Sequence, residues 1–278
     1  MVDRDLRARL RDDVFPAMCA ADPSADRAEV LRAFVMLTAA RVAAGRGLAF
    51  GAVSGPERAV GAERSLLAEI DFTGVDARLP GLLYADLLAD RHAKGGYYTP
   101  DGLARLTARL TLDPLRAAGV THPAVLDPAM GAGHFLIAAA ETLAWDAPPA
   151  GRWETVSKLV GVERDPFAAK LARISLWLWA GHPDTSSNEL AGRLLCADAL
   201  LDADLAARLP GRIDAVVGNP PFASVFTRAR SDADLRAALQ TRYETAVGSF
   251  DLAVPFVERA VTLCRAGGRV GLVLPNKL

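Results

Sequence analysis

From residue 120 onward, short apolar runs alternate with amphipathic helical stretches, and this alternation most narrows what the chain can fold into. Ala124 to Leu126 reads as a strand, followed by a Gly-rich turn and a helix from His134 to about Ala144. Leu159 to Val162 reads as a second strand. The helix after it, Pro166 to Ala180, carries Phe167, Leu171, Ile174 and Leu178 on one face. Leu194 to Ala197 and Ile213 to Val217 read as the third and fourth strands. Helices near Asp232 to Tyr243 and Asp251 to Arg265 follow, then a stop at Gly267-Gly268 and a fifth strand, Val270 to Leu274. Short apolar runs separated by helices of this period predict an α/β fold, a parallel sheet with helices on both faces. Ligands in such sheets bind beyond the carboxyl ends of the strands.

The strand ends carry the chemistry. The first is Asp127-Pro128-Ala129-Met130-Gly131-Ala132-Gly133-His134-Phe135. Its glycines let the backbone turn sharply and approach a ligand, and the helix behind it presents free N–H groups. A dinucleotide-binding G-x-G-x-x-G loop is excluded, because Leu136 stands where the third glycine belongs and the next strand-end acid, Glu163, lies too far along. The second strand ends in Glu163-Arg164, where a carboxylate can accept from the two ribose hydroxyls of an adenosine. The third ends in Asp198-Ala199, where a carboxylate can accept from an adenine amino group. Each acid alone reads as a solvated strand terminus; three at successive strand ends read as a site.

The fourth strand ends in Asn219-Pro220-Pro221-Phe222, the most specific signal in the chain. Two consecutive prolines make the turn rigid. They aim the Asn219 side-chain oxygen and the Pro220 carbonyl the same way, with the Phe222 ring beside them. Two acceptors and an aromatic plane suit a planar ring bearing an amino group.

With these motifs in this order, the chain resembles the N6-adenine DNA methyltransferases of bacterial restriction–modification and phage-defence systems, from Gly95 to Leu278. The resemblance implies a Rossmann-like sheet that binds S-adenosyl-L-methionine and a catalytic Asn219-Pro220-Pro221-Phe222 turn that methylates the N6 amino group of a flipped adenine in DNA. Cofactor contacts would fall on Tyr98, Thr99 and Pro100, which look like the element closing over the methionine end. They would extend to Asp127, Pro128, Met130, Gly131, Gly133 and Phe135 of the loop, where the family usually has Cys in place of Met130. Glu163, Arg164, Asp198, Ala199 and Asn219 complete the set. Two other readings keep the same motifs: a methyltransferase acting on a protein glutamine or an RNA guanine, and a cofactor-binding subunit without activity. The family's last two strands and its DNA-reading region find no counterpart within these residues, so target recognition is expected from a downstream segment or a protein partner.

The remainder sets bounds. Residues 1–94 read as an N-terminal helical region, with helices between Ser24 and Gly45 and from Leu82 to Ala93, and residues 95–278 as the catalytic core. A hydrophobic fraction of 51 % supports a sizeable core, and a net charge of −1 supplies no global attraction to nucleic acid. Arg228, Arg230, Arg236 and Arg242 follow the catalytic turn and read first as a solvated helix face. Cys19, Cys196 and Cys264 have no metal-ligand spacing, so no metal is expected. No signal peptide or spanning run is visible, so a cytoplasmic protein without a membrane is expected.

Overall fold

The computed structural model describes residues 4–51, 66–88, 99–144, 146–222 and 230–276. The five strands are β1 (Val125–Asp127), β2 (Leu159–Glu163), β3 (Leu194–Cys196), β4 (Ile213–Gly218) and β5 (Cys264–Leu272). They form one parallel sheet of order β3-β2-β1-β4-β5. The order reverses direction at β1, which opens a crevice between the β1 and β4 ends.

The N-terminal part comprises α1 (Arg4–Arg9), a π-helical turn (Leu10–Val14), α2 (Phe15–Ala21), α3 (Arg27–Ala44) and α4 (Leu79–Leu87). Asp26 caps α3, accepting from the Ala28 N–H at 3.1 Å. Helix α4 starts three residues before the sequence expectation, with Pro80 in its first turn, where a missing N–H costs nothing. The expected helix end at Ala93 and the expected boundary at residues 94 and 95 lie outside the described residues.

Further helices follow among the described residues: α5 (Asp101–Ala117), α6 (His134–Ala144), α7 (Pro149–Val156), α8 (Pro166–Ala180), α9 (Leu205–Arg208) and, after the Asn219–Phe222 turn, α10 (Arg230–Arg242). The last, α11 (Ala253–Leu263), leads into β5. Alternate strand residues feed two cores. Val125, Leu159, Leu194, Ala215 and Val217 pack under α5, α6 and α8 on one face. Leu126, Val160, Val162 and Val216 pack on the other face with Leu239 of α10 and Phe256 and Ala260 of α11.

Helix α8 is buried on two sides. Ala169, Ala172 and Leu176 face the sheet, where small side chains allow close approach. Leu171, Ile174 and Leu178, one face in the sequence, pack instead with Phe15, Phe34, Leu79 and Leu83 of the N-terminal helices. At about 1.5–3 kcal/mol per fully buried aliphatic side chain, this third core binds the N-terminal helices firmly to the sheet domain. Tyr84 adds a directional contact: its hydroxyl donates to Asp165 Oδ2 at 2.6 Å, while Asp165 Oδ1 caps α8 through the Phe167 N–H at 2.8 Å.

Strand β5 begins at Cys264, not Val270. Ile213 pairs with Cys264 but Ala215 pairs with Arg269, so Gly267 and Gly268 form a bulge within the strand rather than a helix stop. Arg265 Nε donates to Asp214 Oδ1 at 2.5 Å and clamps the bulged start. Among the described residues, no helix is long and apolar enough to cross a membrane.

Candidate active site

A cleft of about 420 Å³ opens over the carboxyl ends of β1 to β4, a volume within the range of small-molecule sites. Asp127, Pro128, Met130, Gly131 and Phe135 line it from the first strand end. Glu163, Arg164, Asp198 and Ala199 line it from the second and third, and Asn219, Pro220, Pro221 and Thr99 complete that wall. The structure thus brings most of the sequence-predicted residues to one cavity. Pro100, Gly133 and Phe222 are not among its lining residues; Pro100 precedes the first turn of α5, and Phe222 is half-buried at the end of the Asn-Pro-Pro turn. Tyr98 lies outside the described residues.

The glycine loop is held by its neighbours. Gly131 sits at φ +53°, with open space where a side chain would stand, so its backbone faces the cleft unshielded. Its N–H donates to Glu163 Oε2 at 3.0 Å, and the Asp165 N–H donates to Glu163 Oε1 at 2.8 Å. One carboxylate therefore ties the loop after β1 to the cap of α8. Each of its oxygens keeps a lone pair for a ligand hydroxyl. Burial raises the Glu163 carboxyl, and those N–H donors pull it partly back.

Asp127 is fully buried at the end of β1 and accepts from the Ala129 N–H at 2.9 Å. Burial pushes its carboxyl up to about 8, and the nearby Glu163 charge adds to the rise. Such a group favours a cation beside it. Asp198 Oδ1 accepts from the Leu200 and Leu201 N–H groups at 2.9 and 3.0 Å, which fixes the β3 turn. Tyr243 and Arg259 brace that turn from below: the Tyr243 hydroxyl donates to Leu200 O at 2.7 Å, and Arg259 Nε to Ala199 O at 3.1 Å.

At the end of β4, Asn219 Nδ2 donates to Thr99 Oγ1 at 2.7 Å. Its Oδ1 is buried and has no hydrogen-bond partner among the described residues. A buried amide oxygen without a donor costs about 1–3 kcal/mol, and this one belongs to a cleft-lining residue. The arrangement can accept an amino hydrogen from a bound molecule.

Helix α4 supplies a wall that the sequence does not announce. Arg78, Leu82, Tyr84 and Leu88 line the cleft. A Cβ on Gly81 would stand 2.5 Å from Ala132 Cβ, so the helix rests directly on the glycine loop. No local pattern marks these residues, because α4 reads as an ordinary apolar helix. The arginines after the turn take structural partners: Arg236 Nη2 donates to Gly248 O at 2.7 Å, and Arg242 Nη2 to Asp202 O at 2.9 Å. Arg228 lies outside the described residues.

The order of the parallel sheet and the cleft over its strand ends define a Rossmann-like α/β fold. The chain aligns over 98 % of its length with a proposed class I S-adenosylmethionine-dependent methyltransferase from Listeria monocytogenes, at TM-score 0.52 and 15 % identity, covering 74 % of that chain. Residues 83–278 match the N-6 DNA Methylase family, and the chain belongs to it. It is 31 % identical over 162 residues to the type II methyltransferase M.PaeR7I of Pseudomonas aeruginosa, covering 55 % of this chain and 27 % of that protein. It is also 27 % identical over 240 residues to the adenine-specific methyltransferase PglX of Streptomyces coelicolor, covering 69 % of this chain and 19 % of that protein. The chain therefore spans about a quarter or less of the length of these relatives.

Proposed function

We propose that this chain is the catalytic part of a methyltransferase that moves the methyl group of S-adenosyl-L-methionine to the N6 amino group of adenine in DNA, within a restriction–modification or defence system. The observation that carries the reading is the buried, unpartnered Asn219 Oδ1 beside the cleft. Family membership favours adenine in DNA over a protein glutamine or an RNA guanine.

The bound cofactor would supply an electrophilic methyl on a sulfonium. Glu163 would hold the ribose hydroxyls and Asp198 the adenine amino group, while Asp127 would face the cationic end. An aromatic amine is a poor nucleophile because its lone pair is delocalised into the ring. Asn219 Oδ1 and the Pro220 carbonyl would accept its two hydrogens and draw them out of the ring plane, which returns the lone pair to nitrogen. Thr99, by engaging Nδ2, keeps Oδ1 toward the substrate. Positioning and fixed dipoles then supply the catalytic effect as the methyl would pass from sulfur to nitrogen, leaving a neutral thioether, and the surplus proton on nitrogen would go to water. A base inside a duplex cannot reach this cleft, so the adenine would flip out and stack on Phe222.

The match covers only 27 % and 19 % of the two relatives, so target recognition would come from polypeptide outside these 278 residues, seated along the outer side of β5. Leu103, Leu106 and Leu110 form an exposed apolar stripe on α5, and Val270 lies exposed on the neighbouring strand. Transfer of labelled methyl to DNA, RNA and protein tests the reading. N6-methyladenine in digested DNA is the expected product, and label confined to protein or RNA would overturn it.

A further inference from the structure

Arg78 lines the cleft yet is only 5 % exposed. One side of its guanidinium is fully engaged. Nε and Nη2 donate to Asp76 Oδ1 and Oδ2 at 2.9 and 3.0 Å, and Nη2 also donates to Glu141 Oε1 at 2.8 Å. The Asp76 Oδ1 atom also accepts from the Arg78 backbone N–H at 2.9 Å, so side chain and backbone are locked together. Glu141 in turn pairs with Arg105 at 3.2 Å. The other side of the fork is unused: Nη1 is buried without a hydrogen-bond partner among the described residues. A guanidinium pinned by two carboxylates cannot swing out to water, so its unpaired nitrogen is a standing cost unless a ligand meets it.

The strand order says which ligand group that would be. With the nucleoside placed on Glu163 and Asp198, at the ends of β2 and β3, and the methyl group toward Asn219 just past β4, the strand order would set the amino-acid tail over β1 and its loop. Helix α4 rests on that loop through Gly81 and Ala132, and Arg78 immediately precedes this helix. Among the described residues lining the cleft, the arginines are Arg78 and Arg164, and Arg164 stands on the nucleoside side next to Glu163. His134 is no substitute cation, because burial holds its imidazole down to about 4. Residues 76–82 precede the stretch matched to the family, so the match itself assigns them no role.

We infer that Arg78 Nη1 binds the α-carboxylate of the cofactor's methionine tail, which makes the N-terminal helical region part of the cofactor site. This rests on the proposed reading of the cleft as a site for S-adenosylmethionine. Decarboxylated S-adenosylmethionine keeps the sulfonium and the ammonium and lacks only the carboxylate, so calorimetry with both ligands isolates the contact. The wild-type chain is expected to bind S-adenosylmethionine about tenfold to a hundredfold more tightly than the decarboxylated form, the range of a charge-assisted pair. In R78Q that preference should fall to about threefold or less, with affinity for the decarboxylated ligand little changed. The D76N/R78Q double variant, which leaves no carboxylate at position 76 without its cation, repeats the comparison if R78Q does not fold. A preference that survives in R78Q, a wild type without preference, or equal loss of both ligands in both variants overturns the inference. A wild type that binds neither ligand overturns the cofactor reading itself.

Discussion

Asn219 Nδ2 donates to Thr99 Oγ1 at 2.7 Å across 120 residues of sequence, and this bond fixes which end of the Asn219 amide is left for a substrate. Thr99 is buried just before α5 and Asn219 directly follows β4, so the orientation of the acceptor depends on two separate elements. Without the threonine hydroxyl the amide is free to turn its NH2 toward the cleft, presenting a donor where an acceptor is needed. Thr99→Val is expected to lower kcat about tenfold, and Asn219→Ala to abolish methyl transfer. Asn219→Ala should change cofactor affinity by less than about 1 kcal/mol, because the acceptor it removes serves the target amine. Full turnover by Asn219→Ala would show that the acceptor role is misplaced.

Asp127 should make both stability and cofactor binding depend on pH. Its carboxyl is held near 8 in the folded chain by burial, against an ordinary value of 3.8. Between about pH 4 and 8 the folded state keeps a proton that the unfolded chain has released. The stabilisation is complete below pH 4 and is lost as pH rises through 8. Asp127→Asn should remove that slope, as read from urea midpoints at pH 5 and pH 8. A cationic ligand group beside Asp127 favours the carboxylate, so binding at pH 7 should expel a proton. Calorimetry in buffers of different ionisation heat measures that release directly. Identical apparent enthalpies across buffers would remove Asp127 from the cationic end of the site.

The strand-end acids and the Asn-Pro-Pro turn were legible because their signals are local: a carboxylate, glycine or proline pair placed just past an apolar run. What escaped reading is set by distant packing. Helix α5 carries Gly102 near its start and Pro114 inside it, two residues that ordinarily punctuate a helix. It persists because Ala104, Ala108, Leu112 and Leu115 bury one face. The Gly267-Gly268 pair reads as a helix stop, yet α11 already ends at Leu263 and the pair bulges inside β5. The contribution of α4 to the cleft was invisible, since only the fold brings Gly81 against Ala132.

Met130 and Gly161 depend on each other. Met130 is buried on the sheet, and a Cβ on Gly161 of β2 would overlap its sulfur. Gly161→Ala should therefore destabilise the chain by about 1–3 kcal/mol, the usual cost of overpacking a core. Met130→Cys, which installs the shorter residue usual in the family, should recover most of that loss in the double variant. Additive effects of the two substitutions in chemical denaturation would show that the overlap is relieved elsewhere.

Alone, the 278-residue chain should bind DNA weakly and without sequence preference. Its net charge is −1, so few phosphates can be neutralised and the salt-dependent contribution to affinity is small. Arg236 and Arg242 do not add to it freely, because both are drawn into loop contacts. Phosphate contacts would in any case position the chain without reading sequence. The outer side of β5 is an edge of the described sheet, and the Leu103, Leu106 and Leu110 stripe lies on the helix packed against it. Open edges and apolar stripes invite association. In the absence of the segment proposed to cover them, the chain should self-associate through this face at micromolar concentration. Leu106→Glu with Leu110→Glu should return it to a monomer in sedimentation velocity while cofactor affinity stays within about twofold, since neither residue lines the cleft. A wild-type chain that is monomeric and methylates one DNA sequence selectively would show that recognition resides within these residues and that the face needs no cover.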